Sequence, residues 1–179
     1  MGIKKPFIIL AMPRSMTAWT SCFLTIGNVF CQHEVLRKDR RTDVVVQSIL
    51  GQPYKYSGAA CPGSLMVWHE LVQRMPDANY IYIRRSPAQS LKSLAKVAQV
   101  SEDMMEEGYE LLNQKAREFM QVAEPKVIDF AELATMKGMR KLWDWVCPEE
   151  HLPDQHLVKM HSLHIEQRRE IIHAQVLGK

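Results

Sequence analysis

The sequence predicts an α/β protein built as a three-layer sandwich, with a central parallel sheet flanked by helices. Short continuous apolar runs, typical of strands buried on both faces of a parallel sheet, recur along the chain. They are Phe7–Ala11, Val29–Cys31, Tyr80–Ile83 and Val127–Phe130. Segments of helical periodicity separate these runs, and alternating strands and helices favour a parallel sheet with right-handed crossovers.

Apolar periodicity and end signals predict the helices between the strands. Gly27-Asn28 ends the first helix because both residues tolerate the left-handed backbone of a C-cap. Ser64 is the expected N-cap of a later helix, and Pro87 suits the first turn of another. The predicted helices are Thr17 to about Ile26, residues 65–75, Pro87 to about Ala98, Met105–Ala123, about Ala131 to Val146, and a basic helical tail at about 153–179.

The segment Arg37–Gly58 is the hardest to assign. Thr42–Leu50 is predicted as a helix and the rest as an irregular loop, a natural place for part of a substrate site. A chain of 179 residues fits one domain. Since no repeat or linker divides the sequence, we expect a single domain over residues 1–179, with its binding core at about 7–145.

Composition bounds the class of protein. Apolar residues make up 46% and charged residues 24%, as in ordinary soluble proteins, and a net charge of +3 is too small to indicate nucleic-acid binding. The run Phe7–Met12 is too short for a signal peptide, and no run reaches the length of a membrane span. We therefore expect a cytoplasmic protein without a membrane or nucleic-acid partner. The cysteines show neither metal-site spacing nor a disulfide framework: Cys22, Cys31, Cys61 and Cys147.

The loop between the first strand and the first helix is suited to binding an anion. It reads Pro13-Arg14-Ser15-Met16-Thr17-Ala18-Trp19. Ligands of open α/β sheets bind beyond the carboxyl ends of the strands, and the free N–H groups and dipole of a helix N-terminus favour negative charge. Arg14 adds a positive fork, and Ser15 and Thr17 add hydroxyl donors. A simple capping role for these hydroxyls is the alternative.

The loop lacks the Walker A pattern GxxxxGK[ST]. It contains no lysine before a serine or threonine and no pair of glycines. A magnesium-dependent enzyme acting on nucleoside triphosphates is therefore disfavoured.

A second anion-binding element begins where the strand Tyr80–Ile83 runs into Arg84-Arg85-Ser86-Pro87. Arg85 ends the strand, and Ser93 lies eight residues later on the following helix. Two helical turns can bring the serine back towards the strand end, where both side chains could bind one phosphate. The alternative is a strand-end arginine with a solvated serine.

Together, the two segments resemble the sulfotransferase family. That family has a P-[KR]-S-G-T-T-[WL] loop for the 5′-phosphosulfate of its donor, 3′-phosphoadenylyl sulfate (PAPS). An R-x-P element with a serine eight residues after the arginine binds the 3′-phosphate. The resemblance implies a P-loop NTPase-like fold and PAPS as donor, with no metal. The matching residues are Pro13, Arg14, Ser15, Thr17, Trp19, Arg85, Pro87 and Ser93.

The resemblance also implies residue roles. Arg14 would contact the bridging and sulfuryl oxygens and stabilise the leaving phosphate. The stretch from Ser15 through Met16 and Thr17 to Ala18 would supply backbone and hydroxyl contacts. Trp19 would stack on the adenine or, as the alternative, pack in the core.

Three departures from the family pattern stand out. Met16 replaces the loop glycine, so its backbone is expected to avoid a glycine-only conformation. Ala18 removes a hydroxyl. The family's late R-K-G-x-x-G segment is not recognisable. Lys159, Arg168 and Arg169 either replace it in part or form a solvated face.

Sulfuryl transfer to a hydroxyl or amine needs a base. Glu34 follows Arg14 by twenty residues, about where the tyrosylprotein and glycosaminoglycan sulfotransferases place a glutamate base. His33 is the alternative, because strand alternation would aim only one of the two inward. The pair His69-Glu70 is a weaker candidate, and both pairs could instead be surface residues.

Three functions remain open at this stage. The first is a PAPS-dependent sulfotransferase with an unidentified acceptor. The second is a nucleotide-binding protein of the same fold without catalysis, which Met16 and Ala18 favour. The third is a small-molecule or nucleotide kinase, for which Asp129 would be the strand-end magnesium ligand. A chain this short has little room for acceptor recognition, so a partner or a second copy could complete that site as a homodimer.

Overall fold

The computed structural model describes residues 4–36 and 41–163. Within these ranges the chain forms a five-stranded parallel sheet with the order β2-β3-β1-β4-β5. The strands are β1 (Lys5–Ala11), β2 (Val29–His33), β3 (Tyr56–Ala60), β4 (Asn79–Arg84) and β5 (Lys126–Asp129). The α-helices are α1 (Thr17–Leu24), α2 (Thr42–Leu50), α3 (Trp68–Arg74), α4 (Pro87–Ala98), α5 (Asp103–Val122), α6 (Phe130–Leu133), α7 (Met136–Val146) and α8 (Asp154–Ser162), and a 3₁₀ helix covers Pro62–Val67.

Helices cover both faces of the sheet, which confirms the predicted three-layer α/β class. Side chains of β1 alternate between two hydrophobic clusters, and Phe7–Ala11 is fully buried. One cluster joins Phe7 and Ile9 to α1 and α7, and the other joins Ile8 to α2, α3 and α5. The continuous apolar run of β1 therefore arises because both faces of the strand are packed.

Strand β3 was not predicted: its first three residues, Tyr56-Ser57-Gly58, lie in the segment expected to end as an irregular loop, and Ala59-Ala60 follow that segment. Its residues are mostly small and carry no β-branched side chain, so local propensity does not indicate a strand. Pairing with both β1 and β2 holds it in the sheet. A Cβ atom at Gly58 would lie 2.3 Å from the backbone oxygen of Phe7, so the close approach of β1 requires glycine there.

Three predicted helices have different boundaries in the structure. The first ends at Leu24 with Thr25 as its C-cap, before the expected end at Gly27-Asn28. The helix expected at about 131–146 is divided into α6 and α7, and the Thr135 hydroxyl caps the second part by accepting from the Gly138 N–H at 3.1 Å. Ser64, the expected N-cap, instead lies fully buried inside the 3₁₀ helix, with its N–H donating to the Cys61 carbonyl.

The predicted helices Thr42–Leu50 and Pro87–Ala98 are confirmed as α2 and α4. Helix α8 lies in the predicted C-terminal tail, and residues 164–179 of that tail lie outside the described residues. Across residues 4–36 and 41–163, no helix combines the length and apolar character needed to cross a membrane.

The strand order places β1 at the centre of the sheet. From β1 the chain passes to β2 at one edge, returns to β3, and then crosses to β4 on the other side. The direction of winding therefore reverses around β1, and such a switch point leaves a crevice beyond the carboxyl ends of the strands. The loop that follows Ala11 lies at this point.

Candidate functional site

Two residues of the loop between β1 and α1 have left-handed backbones. Arg14 has φ 67°, and Met16, which precedes the first residue of α1, has φ 64° and ψ 18°. Residues other than glycine can adopt the left-handed backbone region at a cost of roughly 1–3 kcal/mol, so the conformation of Met16 is not restricted to glycine. Met16 therefore makes the turn into the helix at the position where the resembling family has glycine.

Side chains from the neighbouring strand and helix hold this loop in place. The buried Ser90 hydroxyl, on α4, donates to the carbonyl oxygen of Pro13. The Arg85 guanidinium, at the end of β4, donates to the carbonyl oxygen of Arg14. Two successive carbonyls of the loop thus have partners supplied from more than seventy residues away. The role of Ser90 was not predicted, because nothing in its sequence context distinguishes it from an ordinary helical serine.

The start of α1 presents two buried hydroxyls next to the loop. Ser15 is 0% exposed, and its hydroxyl has no hydrogen-bond partner within residues 4–36 and 41–163. Thr17 is also buried, and its hydroxyl lies 3.5 Å from the Nε2 atom of His33. The N–H groups of a first helical turn have no partner inside the helix. This end of α1 therefore offers several hydrogen-bond donors to an anion.

The structure brings the two predicted motifs together around Arg14. Its Nε atom lies 3.5 Å from the Ser93 hydroxyl, while Arg85 bonds the Arg14 carbonyl. Arg85 and Ser93 thus contact the same residue through different atoms. That they bind one phosphate stays a prediction, as do the binding roles of Pro13 to Ala18.

Arg85 is a partly buried cation with unused hydrogen-bonding capacity. Its guanidinium carbon lies 4.4 Å from the centre of the Phe130 ring. Its Nε atom is buried and has no partner in the part of the chain that the structure describes. Burial lowers the pKa of Arg85 from its ordinary value, although an arginine stays charged at neutral pH. A cation in such surroundings favours an anionic ligand.

The two base candidates lie at the end of β2. His33 is the last residue of the strand, and Glu34 follows it with φ 52°. The Nε2 atom of His33 lies 3.8 Å from Oε1 of Glu34, and the two side chains are 17% and 41% exposed. His33 is the more buried of the two and contacts Thr17, whereas Glu34 lies beyond the end of the strand, so strand alternation does not set its direction. The link between His33 and Thr17 places this pair beside the loop.

Trp19 occupies the core, which was the alternative to stacking on adenine. It is 3% exposed, its ring stacks on Phe23 at 5.2 Å, and its indole N–H donates to the Met160 carbonyl at 3.4 Å. An adenine-binding role is therefore not supported, because the ring face is already packed against Phe23.

The remaining candidates lie outside this group of contacts. On α3, His69 and Glu70 are exposed, and Glu70 accepts a hydrogen bond from Thr42 at 2.5 Å. Lys159 is exposed on α8, and Arg168 and Arg169 lie outside the described residues. Within residues 4–36 and 41–163, His69, Glu70 and Lys159 therefore have no hydrogen bond or ion pair to the loop.

Asp129, the magnesium ligand that the kinase alternative requires, is paired with an arginine. Its two carboxylate oxygens accept from Nε and a terminal nitrogen of Arg84 at 2.6 and 2.9 Å. This pairing holds the pKa of Asp129 below its ordinary value. Over residues 4–36 and 41–163, no three His, Cys, Asp or Glu side chains are grouped closely enough to hold a metal ion. The carboxylate of Asp129 is therefore already engaged by Arg84.

Two surface hollows lie away from the loop. One, of about 580 Å³, is lined by residues of α7 such as Lys137 and Trp145, and the other, of about 400 Å³, lies by the amino-terminal ends of β1 and β4. Neither is lined by Arg14 or Arg85. The candidate site is therefore the hydrogen-bonded loop and not either of these two hollows.

Comparison with known proteins supports the fold. No family model and no curated protein sequence matches the chain. The structure is similar to the crystal structure of sulfotransferase STF9 from Mycobacterium avium, with a TM-score of 0.53 and 13% sequence identity. The match covers 99% of this chain and 77% of that chain. At this identity, the likeness establishes a sulfotransferase-like fold and nothing finer.

Proposed function

We propose that this protein transfers a sulfuryl group from PAPS to a hydroxyl or amine of an acceptor. The observation that carries the proposal is the contact of Arg14, in the loop after β1, with both Ser93 and Arg85 of the second motif. The sulfotransferase-like fold is consistent with this chemistry. Two sequence elements that resemble the two halves of one donor site thus meet at the switch point of the sheet.

The donor would lie across the carboxyl ends of β1 and β4. Its 5′-phosphosulfate would accept hydrogen bonds at the start of α1, where the Ser15 hydroxyl has no partner among the described residues and the helix dipole favours an anion. Its 3′-phosphate would bind Arg85 and Ser93 through charge-assisted hydrogen bonds. Arg14, which contacts both of these residues, would lie between the two anionic groups.

The chemical step would be a direct transfer. The acceptor oxygen or nitrogen forms a bond to sulfur as the bond between sulfur and the bridging oxygen breaks. Negative charge grows on that oxygen, and Arg14 stabilises it electrostatically. The acceptor proton passes to His33 or Glu34, which the contact with Thr17 holds beside the loop. The products are the sulfated acceptor and adenosine 3′,5′-bisphosphate.

The first test is calorimetric titration with adenosine 3′,5′-bisphosphate, with ATP plus magnesium as the comparator. We expect the bisphosphate to bind in the micromolar range and ATP to bind far more weakly. Arg85→Ala should weaken bisphosphate binding about tenfold or more, because it removes a charge-assisted contact worth about 1.5–3 kcal/mol. Arg117→Ala is the matched control, since it removes an exposed arginine paired with Glu110 on α5.

Different outcomes separate the alternatives. Equal binding of ATP and the bisphosphate would contradict the donor assignment. Selective bisphosphate binding without transfer of labelled sulfuryl to a panel of phenols, alcohols and amines would favour the non-catalytic nucleotide-binding protein. Transfer to any member of the panel, lost in Arg14→Ala, would establish the enzyme and begin to define its acceptor.

A further inference from the structure

The pairing of β4 with β5 brings an aromatic ring beside Arg85. In the parallel register, Arg84 lies opposite Asp129 at the ends of the two strands. The next residue along each strand is therefore Arg85 on one side and Phe130 on the other. The bidentate hydrogen bonds between Arg84 and Asp129 link the carboxyl ends of β4 and β5. Phe130 is half-buried and packs against the cluster formed by α1 and α7.

The ring of Phe130 covers one side of the guanidinium. The guanidinium carbon lies 4.4 Å from the centre of the ring, within the range of a cation–π interaction. One terminal nitrogen donates to the Arg14 carbonyl, and the buried Nε atom has no partner among the described residues. The ring therefore occupies one face of the cation, while the edge of the guanidinium is directed at the loop through the Arg14 carbonyl and its buried Nε–H is left unpaired among the described residues.

We propose that Phe130 is a positioning residue that determines selectivity for the 3′-phosphate of the donor. It would act through Arg85, by holding the guanidinium with its edge towards the loop. An arginine side chain has many rotamers, and fixing them during binding costs affinity. A guanidinium already held by an aromatic face avoids part of this cost. The inference rests on the proposed function, because it assumes that Arg85 binds the 3′-phosphate.

Selectivity between two nucleotides tests this role more directly than affinity for one. Adenosine 3′,5′-bisphosphate carries the 3′-phosphate, and adenosine 5′-phosphate lacks it. The ratio of their dissociation constants therefore reports on the 3′-phosphate alone. A variant with a generally disturbed fold would instead bind both nucleotides more weakly and leave the ratio unchanged. We would measure this ratio by calorimetry for wild type, Phe130→Leu and Phe130→Tyr, after confirming by thermal melting that each variant is folded.

We expect wild type to prefer the bisphosphate. Phe130→Leu should lower the preference about five- to tenfold, as expected for the loss of one cation–π contact, while binding of adenosine 5′-phosphate stays unchanged. Phe130→Tyr should keep the preference because it keeps the aromatic face. Phe30→Leu is the matched control. Its ring stacks on Tyr54 at 5.1 Å and belongs to β2, at the opposite edge of the sheet from β5, so selectivity should not change.

Each outcome decides between the proposals. A wild-type protein that does not distinguish the two nucleotides overturns the donor assignment and this inference with it. A selective wild type whose Phe130→Leu variant is equally selective overturns the role of Phe130 and leaves the proposed function intact. Loss of selectivity in Phe130→Tyr as large as in Phe130→Leu also overturns it, because the ring face would then have no part in the effect.

Discussion

The two halves of the candidate site differ in how firmly the fold holds them. On the donor side, Ser90 and Ser15 are fully buried, and Arg85 is held by a carbonyl and an aromatic ring. On the proposed acceptor side, His33 ends the edge strand β2 and Glu34 follows it, and their side chains are 17% and 41% exposed. Under the proposed function, donor binding would depend on the packing of the core, whereas proton transfer would depend on two side chains at the end of β2. Substitutions should separate the two functions.

The acceptor side should give the largest effect on turnover. Replacing the true base, through His33→Gln or Glu34→Gln, should lower the rate of transfer about 10²–10⁴-fold, the usual contribution of general base catalysis. Bisphosphate affinity should change far less than the rate, because neither residue is among those proposed to bind the nucleotide and His33 reaches the loop only through Thr17. Single-turnover rates with saturating PAPS measure the effect once an acceptor is known.

The two variants also identify the base. A large loss in only one of them assigns it, and a smaller loss in the other would indicate that this residue orients the base across the 3.8 Å contact. If both variants transfer sulfuryl at the wild-type rate, the pair has no catalytic role. His69→Gln, on the exposed surface of α3, serves as the control for a general effect of removing a histidine.

The same contrast explains what the sequence could and could not predict. The sheet was predictable at β1, because burial on both faces requires a continuous apolar run. Strand β3 was not, because its small residues do not indicate a strand, and Gly58 is required by the close approach of Phe7, a contact between distant parts of the chain. Local sequence patterns therefore predict which segments are buried, but they do not predict close contacts between distant parts of the chain.

The site follows the same rule. Arg14, Arg85 and Ser93 could be proposed from the sequence, since motif spacing marks them, and the structure brings them into contact. Ser90 and Phe130 could not, because their contacts depend on how α4 and β5 pack beside the loop. Trp19 shows the reverse case, in which a motif residue belongs to the core.

Arg14 lies between the two halves and should show the second-largest effect. Arg14→Ala should slow transfer about 10²–10³-fold, as does the loss of other groups that stabilise developing charge. The effect on bisphosphate affinity should be smaller, because that product lacks the sulfuryl group. Parallel measurement of the single-turnover rate and of bisphosphate binding tests this difference. Equal losses in both would show that Arg14 only binds the nucleotide and does not act on the transition state.

Ser90 and Ser93, one turn apart on α4, give the smallest but cleanest comparison. Ser90→Ala should destabilise the protein by about 0.5–1.5 kcal/mol, because it removes the hydrogen bond that the fully buried Ser90 hydroxyl donates to the partly buried Pro13 carbonyl. Ser93→Ala should leave stability nearly unchanged, since Ser93 is only half-buried and its contact with Arg14 is long, at 3.5 Å. Chemical denaturation measures both values.

The two variants should differ in another way in nucleotide binding, where Ser93→Ala should also have an effect. Ser93→Ala should weaken binding of the bisphosphate, because one hydrogen bond to the 3′-phosphate is lost. Its affinity for adenosine 5′-phosphate should not change. Ser90→Ala should weaken both nucleotides, because it loosens the loop that carries the left-handed Arg14 and Met16. If Ser90→Ala is destabilised yet binds both nucleotides as wild type does, the loop keeps its shape without this hydrogen bond. The contacts with Arg85 and the start of α1 would then be sufficient to hold the loop in place.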